Sequence, residues 1–333
     1  MPALTVRVLS RRLKRPFVIS TGARTVQPAV QVLLQDEGVT GVGEASGVAY
    51  LGETAESLAA EIEQVRSALE AGIDRAALLE LMAPGGARFA VDSALWDLEA
   101  RRTGVSVAER IGVETPRSLV TAFTISLDTP EAMEAAAREA AGLKLLKVKL
   151  GAKDGRDAER ARAVRRGAPD ATLIADANAG WTADTLPANA DALFEAGFAL
   201  LEQPLPAQID AALDAFDSPL PLCGDESVQS LADIDRAASR YDVINIKLDK
   251  CGGLTHALEM RRRLRELDKR VFVGCMICGA RAIAPALLLA QDADFVDLDG
   301  PLWLAEDDAT LHMDAEGRLS APPAGLWGDG DHT

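Results

Sequence analysis

Cysteine is scarce in this 333-residue chain: only Cys223, Cys251, Cys275 and Cys278 are present. Four thiols in so long a chain do not make a disulfide-stapled mini-domain. Buried free thiols in a reducing compartment are the expectation. "CMIC" (275–278) lacks a second pair at zinc spacing, and its apolar filling reads as a strand. Histidine is scarcer still. His256 falls in a candidate helix, His312 in the C-terminal segment and His332 in the polar tail, so none belongs to a metal cluster. A basic excess is missing too. The chain has 51 acidic and 35 basic residues, a formal charge of −16. A nucleic-acid binder concentrates positive charge, so this balance argues against one. No apolar run reaches membrane-spanning length; "IAPALLLA" (283–290) is far too short. The start, "MPALTVRVLSRRL", has no long apolar stretch ahead of a cleavage site. A soluble cytoplasmic protein with no membrane or nucleic-acid partner is expected; a homo-oligomer is left open.

What is present is enough chain for one large core or two domains. Residues 3–10 and 27–35 alternate like strands, "EG" before Val39 marks a turn, and "TGVGEAS" reads as a third strand. Helical patterns follow in "TAESLAAEIEQVRSALEAG" and "RFAVDSALWDLEARRTG", the second stopping at Gly104. This is an α+β segment covering 1–118.

From Leu119 the rhythm changes. Apolar runs at 119–125, 145–150, 172–176, 197–202, 220–224, 243–248, 271–275 and 294–298 alternate with candidate helices, among them "QIDAALDAFD". That βα repeat supplies enough units for a closed barrel, regular or modified. Catalytic groups of such barrels stand at the carboxyl ends of the strands.

Three successive runs end on acids. "LIADANAG" ends on Asp176, "LLEQPLP" carries Glu202 and "LCGDES" carries Asp225. Such acids also serve as helix caps. Gathered at one mouth, however, three carboxylates repel unless neutralised, and a divalent cation does this. Oxygen-only donors suit magnesium, with Asn178 and Glu226 placed to orient them. Lysines flank the set. "LLKVKLG" puts Lys147 and Lys149 on one face of the preceding strand, and "VINIKLDKCGG" puts Lys247 beyond the third acid. Isolated lysines are ordinary surface charges. Placed across a substrate, these can remove an α-proton beside a carboxylate and return one to the opposite face, which inverts the stereocentre.

The series "KVKLG", "DANAGW", "LEQPLP", "GDES", "NIKLDKCGG" resembles the enolase superfamily, in its muconate-lactonising-enzyme-like subgroup. The resemblance covers about 119–310. It implies a modified TIM barrel, (β/α)7β, as catalytic domain over 119–310, an α+β capping domain over 1–118, and a C-terminal segment, 311–333, returning to the cap. It implies Asp176, Glu202 and Asp225 as magnesium ligands, and Lys149 and Lys247 as the catalytic pair with Lys147 in support. It leaves open which lysine serves which face. The block "DLDGPLWL" resembles the Asp-x-Asp signature of dipeptide epimerases, with Asp297 and Asp299 holding a substrate ammonium. In "STGARTVQP", Arg24 lies in a loop between the first two strands and is placed to read a glutamate carboxylate. The implied substrate is L-Ala-D-Glu, interconverted with L-Ala-L-Glu in murein peptide recycling. Other lyases and isomerases of the fold (o-succinylbenzoate synthase, cycloisomerases) and a non-catalytic binding barrel are the alternatives. One departure stands out. Many relatives carry an acid and a small hydroxyl residue after the methionine where this chain has Cys278 and Gly279.

Overall fold

The computed structural model describes residues 1–19, 22–113 and 116–330. The chain opens with β1 (Ala3–Ile19), β2 (Gly22–Asp36) and β3 (Val39–Ala45), an antiparallel sheet in that order. The first two strands run well past the alternating stretches. Their pairing shifts between Arg12 and Phe17, then resumes with Phe17 opposite Arg24. Arg24 therefore lies on a strand, not in a loop; Ser20 and Thr21 of that stretch lie outside the described residues. Contacts with the barrel explain the extension. Leu127 N donates to Val18 O at 3.2 Å, Ala305 N donates to Arg12 O at 2.8 Å, and Phe17 meets Trp303 edge-on at 4.8 Å.

Helices α1 (Ala55–Gln64), α2 (Arg66–Glu70), α3 (Arg75–Leu81), α4 (Gly86–Thr103) and α5 (Val107–Arg110) complete the N-terminal part. The single helix expected over α1 and α2 breaks at Val65 (φ −101°, ψ 6°). Beyond the break, the Arg66 guanidinium donates to Leu4 O at 2.8 Å. Helix α4 packs on β3 at very short range. A Cβ at Gly43 would stand 2.0 Å from Ala90 O, and one at Gly41 would stand 2.3 Å from Ala94 O. The two glycines of "TGVGEAS" thus let the sheet and helix backbones meet.

The expected first barrel run splits. β4 (Leu119–Val120) pairs antiparallel with β13 (Arg318–Leu319) near the C-terminus, and β5 (Phe123–Ile125) starts the barrel. After α6 (Pro130–Glu139) come β6 (Leu145–Lys149), α7 (Asp157–Gly167), β7 (Thr172–Asp176), α8 (Leu186–Glu195), β8 (Leu200–Glu202) and β9 (Leu222–Gly224). Then follow α9 (Leu231–Ala238), β10 (Val243–Lys247), α10 (Leu248–Cys251), α11 (Leu254–Glu266), β11 (Arg270–Gly274), α12 (Ala280–Leu289) and β12 (Phe295–Asp297). Strands β5 to β12 pair in parallel in sequence order. Ala122 N donates to Val296 O at 2.8 Å across the closing seam. This is a modified TIM barrel, (β/α)7β, under an α+β cap. "QIDAALDAFD" forms only a 3₁₀ segment, Asp210–Ala215. It is confined between Pro206 and Pro219, and buried Asp210 is drawn to Arg240 at 2.9 Å. "CMIC" is not a strand: β11 ends at Gly274, and these residues form the loop that follows. All four cysteines are free; three are buried and Cys275 is half-buried.

Inside the barrel, Leu145, Ile174, Leu200, Cys223, Val243 and Phe272 pack as an apolar floor. A larger layer lies between the strands and the helices and continues into the N-terminal part. The C-terminal segment docks on α4, where Trp327 Nε1 donates to Ser93 O at 3.0 Å and Gly328 N to Asp97 Oδ1 at 2.7 Å. No helix among the described residues is long and apolar enough to cross a membrane.

Candidate active site

Parallel register builds the site. Lys149 stands opposite Asp176, and Asp176 opposite Glu202, at the carboxyl ends of β6, β7 and β8. On the other side of the barrel, Lys247 stands opposite Gly274, and Gly274 opposite Asp297. Gly274 leaves space there: a Cβ would lie 2.6 Å from Asn245 Oδ1 and 3.1 Å from Lys247 Cε. Asp225 follows the end of β9. Strand order therefore sets Lys149 and Lys247 on the two flanks of the three acid-bearing strands.

These side chains form one buried ionic layer above the apolar floor. Lys149 Nζ donates to Asp176 Oδ2 at 2.6 Å, and Lys247 Nζ to Asp225 Oδ2 at 2.6 Å. Lys147 Nζ is shared by Asp176 (3.2 Å), Glu202 (2.8 Å) and Asp297 (2.9 Å). Asn178 donates through its backbone to Asp176 Oδ1 at 2.9 Å and through its side chain to Glu226 Oε1 at 3.4 Å. Asp299 lies past the end of β12, not on the strand. It accepts from Thr124 N at 2.9 Å and from Trp303 Nε1 at 3.2 Å. Arg24 reaches over from β2, where it donates to Gln27 Oε1 at 3.2 Å. Lys147, Lys149, Asn178, Asp225, Glu226, Lys247, Asp297, Asp299 and Arg24 all line a cavity of about 370 Å³.

Sequence reasoning missed three members. Lys250 Nζ donates to Asp225 Oδ1 and Asp225 O, both at 2.6 Å, from one helical turn beyond Lys247. Asn245 Nδ2 donates to Glu202 Oε1 at 2.7 Å. Its place two residues before Lys247 on one strand face was the available signal. Gln203 takes a left-handed φ of 36°. Its Oε1 accepts from Asp225 N (2.9 Å) and Ser227 N (3.1 Å), fixing the turn that carries the third acid.

Six carboxyl groups (Asp176, Glu202, Asp225, Glu226, Asp297, Asp299) share this layer with four lysines (Lys147, Lys149, Lys247, Lys250), an excess of two acidic groups. The excess is unevenly distributed. Burial would raise Asp176, but Lys149 and Lys147 outweigh it and hold the carboxyl at about 2. Asp225 is likewise lowered, with burial overcome by Lys247 and Lys250. Glu202 is pushed up to about 7 by burial and the Asp176 charge, and Glu226 to about 8 by burial and the Asp225 charge. Lys147 and Lys247 are raised, because neighbouring carboxylates outweigh their burial. Among the described residues, buried Glu226 Oε2 and Asp297 Oδ1 have no hydrogen-bond partner. Among the described residues no three His, Cys, Asp or Glu side chains converge tightly enough to cage an ion as they stand; lysines lie between them. The donor set, all hard oxygens with more acids than lysines, still fits a divalent cation such as magnesium.

The barrel with its acid-tipped strands and its cap defines a class. The profile described as "Enolase C-terminal domain-like" matches residues 131–325, and the mandelate racemase / muconate lactonizing enzyme N-terminal domain matches 3–112. The chain belongs to this family. Within it, the chain is similar to the L-Ala-D/L-Glu epimerase of Escherichia coli (strain K12), 45% identical over 91% of this chain and 95% of that one. Its fold superposes with a TM-score of 0.95 on an enolase family member from Agrobacterium tumefaciens with homology to dipeptide epimerases, which holds sodium and L-Ala-L-Glu. The two are 42% identical over 98% of this chain and 100% of that one. The dipeptide epimerase from Cytophaga hutchinsonii, complexed with Mg and D-Ala-L-Val, is 26% identical with a TM-score of 0.90, covering 97% and 94% of the two chains.

Proposed function

We propose that this protein is a magnesium-dependent dipeptide epimerase that inverts the Glu Cα of L-Ala-D-Glu and L-Ala-L-Glu. The observation that carries the reading is the placement of Lys149 and Lys247, which line one cavity, on opposite flanks of the strands that bring up Asp176, Glu202 and Asp225. Asp176, Glu202 and Asp225 would hold the ion through their carboxylate oxygens, with Asn178 and Glu226 orienting them. Magnesium, when bound, supplies positive charge beside the substrate carboxylate, where negative charge develops as the α-proton leaves.

One lysine amine takes the proton from Cα, and the electron pair of that C–H bond moves into the adjoining carboxylate. The opposite lysine, as its ammonium, gives a proton to the other face, so one C–H bond breaks and another forms. Lys147, bonded to Asp176 and Asp297, supports Lys149 by holding the neighbouring charges in place. Asp297 Oδ1, buried and without a partner among the described residues, and Asp299 receive the substrate ammonium. Arg24 takes the glutamate side-chain carboxylate. This recognition of both charges disfavours the mostly anionic substrates of the fold's other lyases and isomerases. Residues 119–310 are the catalytic barrel, 1–118 the cap and 311–333 the segment returning to it. The reaction serves murein peptide turnover in the cytoplasm.

The test is isotopic. In deuterated water, solvent deuterium should enter the Glu Cα as configuration inverts, located by mass spectrometry with chiral analysis. Label confined to Ala sinks the mechanism. Efficient succinylbenzoate formation without any dipeptide epimerisation sinks the substrate.

A further inference from the structure

Asp249 takes no part in the chemistry above, yet its carboxylate is buried, 3% exposed, in the one-turn helix α10 directly after Lys247. Its Oδ1 accepts two consecutive backbone N–H groups from the cap, Ser46 and Gly47, each at 2.9 Å. Gly47 begins a short segment, and Gly47, Ala49, Tyr50 and Leu51 all line the cavity. At its far end Glu53 turns back and accepts from Val48 N at 2.6 Å. The segment is thus pinned at its root, and Tyr50 (46% exposed) and Leu51 (51% exposed) stand over the mouth. A further hydrogen bond to the barrel, from Gln229 Nε2 to Tyr50 Oη, is long at 3.4 Å. A buried carboxyl oxygen accepting two amides at 2.9 Å is the stronger tether.

We infer that Asp249 is a positioning residue: through Ser46 and Gly47 it sets the cap segment 47–51 over the substrate, fixing that wall to the strand end that bears Lys247. The wall and the base then share one mount, and a shift of the cap is felt where the proton moves. Substrate, filling the cavity, covers Tyr50 and Leu51 and holds the segment down. The inference rests on the reading of this cavity as the dipeptide site.

The magnesium-loaded full chain tests it with L-Ala-L-Glu. Asp249→Ala should raise KM by about 10-fold, the effect of losing two buried hydrogen bonds, with a smaller change in kcat. It should also speed chymotryptic cleavage at Tyr50, and saturating dipeptide should slow that cleavage. Asp249→Asn keeps an oxygen for both amides and should restore KM and protease resistance. A merely structural Asp249 would lower the amount of folded enzyme without moving KM. Unchanged KM and unchanged cleavage in Asp249→Ala overturn the inference, as does an Asp249→Asn variant no better than Asp249→Ala. Should Asp249→Ala not fold, hydrogen exchange on the wild-type chain decides. Ser46 and Gly47 amides should exchange by local opening that dipeptide suppresses; exchange only through global unfolding, indifferent to dipeptide, overturns it. If the wild-type chain does not epimerise L-Ala-L-Glu, the proposed function fails, while cleavage and exchange, read on the same chain without dipeptide, still decide whether Asp249 tethers the segment.

Discussion

Lys149, Asp176 and Glu202 sit side by side because adjacent parallel strands share a register. Arg24, Tyr50 and Leu51 reach the same cavity from the opposite end of the chain, and their places depend on the docking of one domain upon another. The floor of the site is rigid by construction. Most of its charges are buried and paired, on or just beyond hydrogen-bonded strand ends. The rim consists of half-exposed side chains on a hairpin arm and a short segment, held by a few contacts such as Asp249 to Ser46 and Gly47. On the proposed reading, proton transfer falls to the buried layer and recognition of the glutamate side chain to the exposed rim.

Substitutions in the two regions should differ in size and in kind. The largest effect is expected in the floor. Lys149→Ala and Lys247→Ala should each lower epimerisation by roughly 10³-fold, in the range of a lost general acid or base. Each single variant should still exchange Cα hydrogen from one stereoisomer, which NMR in deuterated water can follow. Inversion surviving in the double variant would erase the proposed division between floor and rim.

Next comes Asp225→Asn, which removes charge but keeps an oxygen. Magnesium affinity should fall by about 100-fold or more, since even outer partners of a metal are worth up to that much. Calorimetry on metal-free protein measures it, and unchanged affinity removes Asp225 from the proposed ligands.

Asp299→Asn belongs to the boundary between the regions, held on one side by Thr124 and on the other by Trp303. A lost charge-assisted bond costs about 1.5–3 kcal/mol, roughly 10- to 100-fold in kcat/KM. The loss should fall on dipeptides with a free amino terminus, and an N-acetylated dipeptide should be indifferent to it. Equal losses on both would show that Asp299 does not read the ammonium. In the rim, Arg24→Met should cost about 10-fold or less, because a half-exposed ion pair is screened by water. That loss should be confined to peptides with Glu as the second residue. A comparable loss with an apolar second residue would mean that Arg24 supports the arm rather than reading the substrate.

The smallest effect concerns stability and lies away from both regions. His256 is held down to about 4 by burial and by the Arg88 guanidinium, and its Nε2 accepts from Leu231 N at 3.0 Å. Between pH 6.5 and 4 the unfolded chain therefore binds a proton that the folded chain does not. This contribution is full above 6.5 and is lost as pH falls towards 4. For a half-buried group it amounts to on the order of 1 kcal/mol after screening. His256→Gln should flatten that slope in urea titrations at several pH values. An unchanged slope would assign the acid sensitivity to other groups.

Much of the floor was legible in the sequence because strand, strand end and acid are neighbours along the chain. "KVKLG" shows Lys147 and Lys149 on one face by period alone. Lys250 was not legible: it lies just after β10, where the strand period gives way to a one-turn helix, and only the turn of α10 swings it back onto Asp225. The 119–125 run looked like one strand. Its first half pairs with the C-terminal β13 instead, a partner no local pattern announces. "QIDAALDAFD" carried helical spacing, but two prolines and buried Asp210 left room only for a 3₁₀ segment.

By itself the sequence determined the barrel, the order of its charged strand ends and the acid and lysine chemistry at them, since periodicity and strand-end position are local properties. Tertiary structure alone decided that β1 and β2 extend into an arm carrying Arg24, that Lys147 is shared by Asp176, Glu202 and Asp297, and that Asp249 holds the cap. Those outcomes depend on burial, which raises the cost of an unpaired charge or amide, and on which distant group the fold brings within hydrogen-bond reach of it.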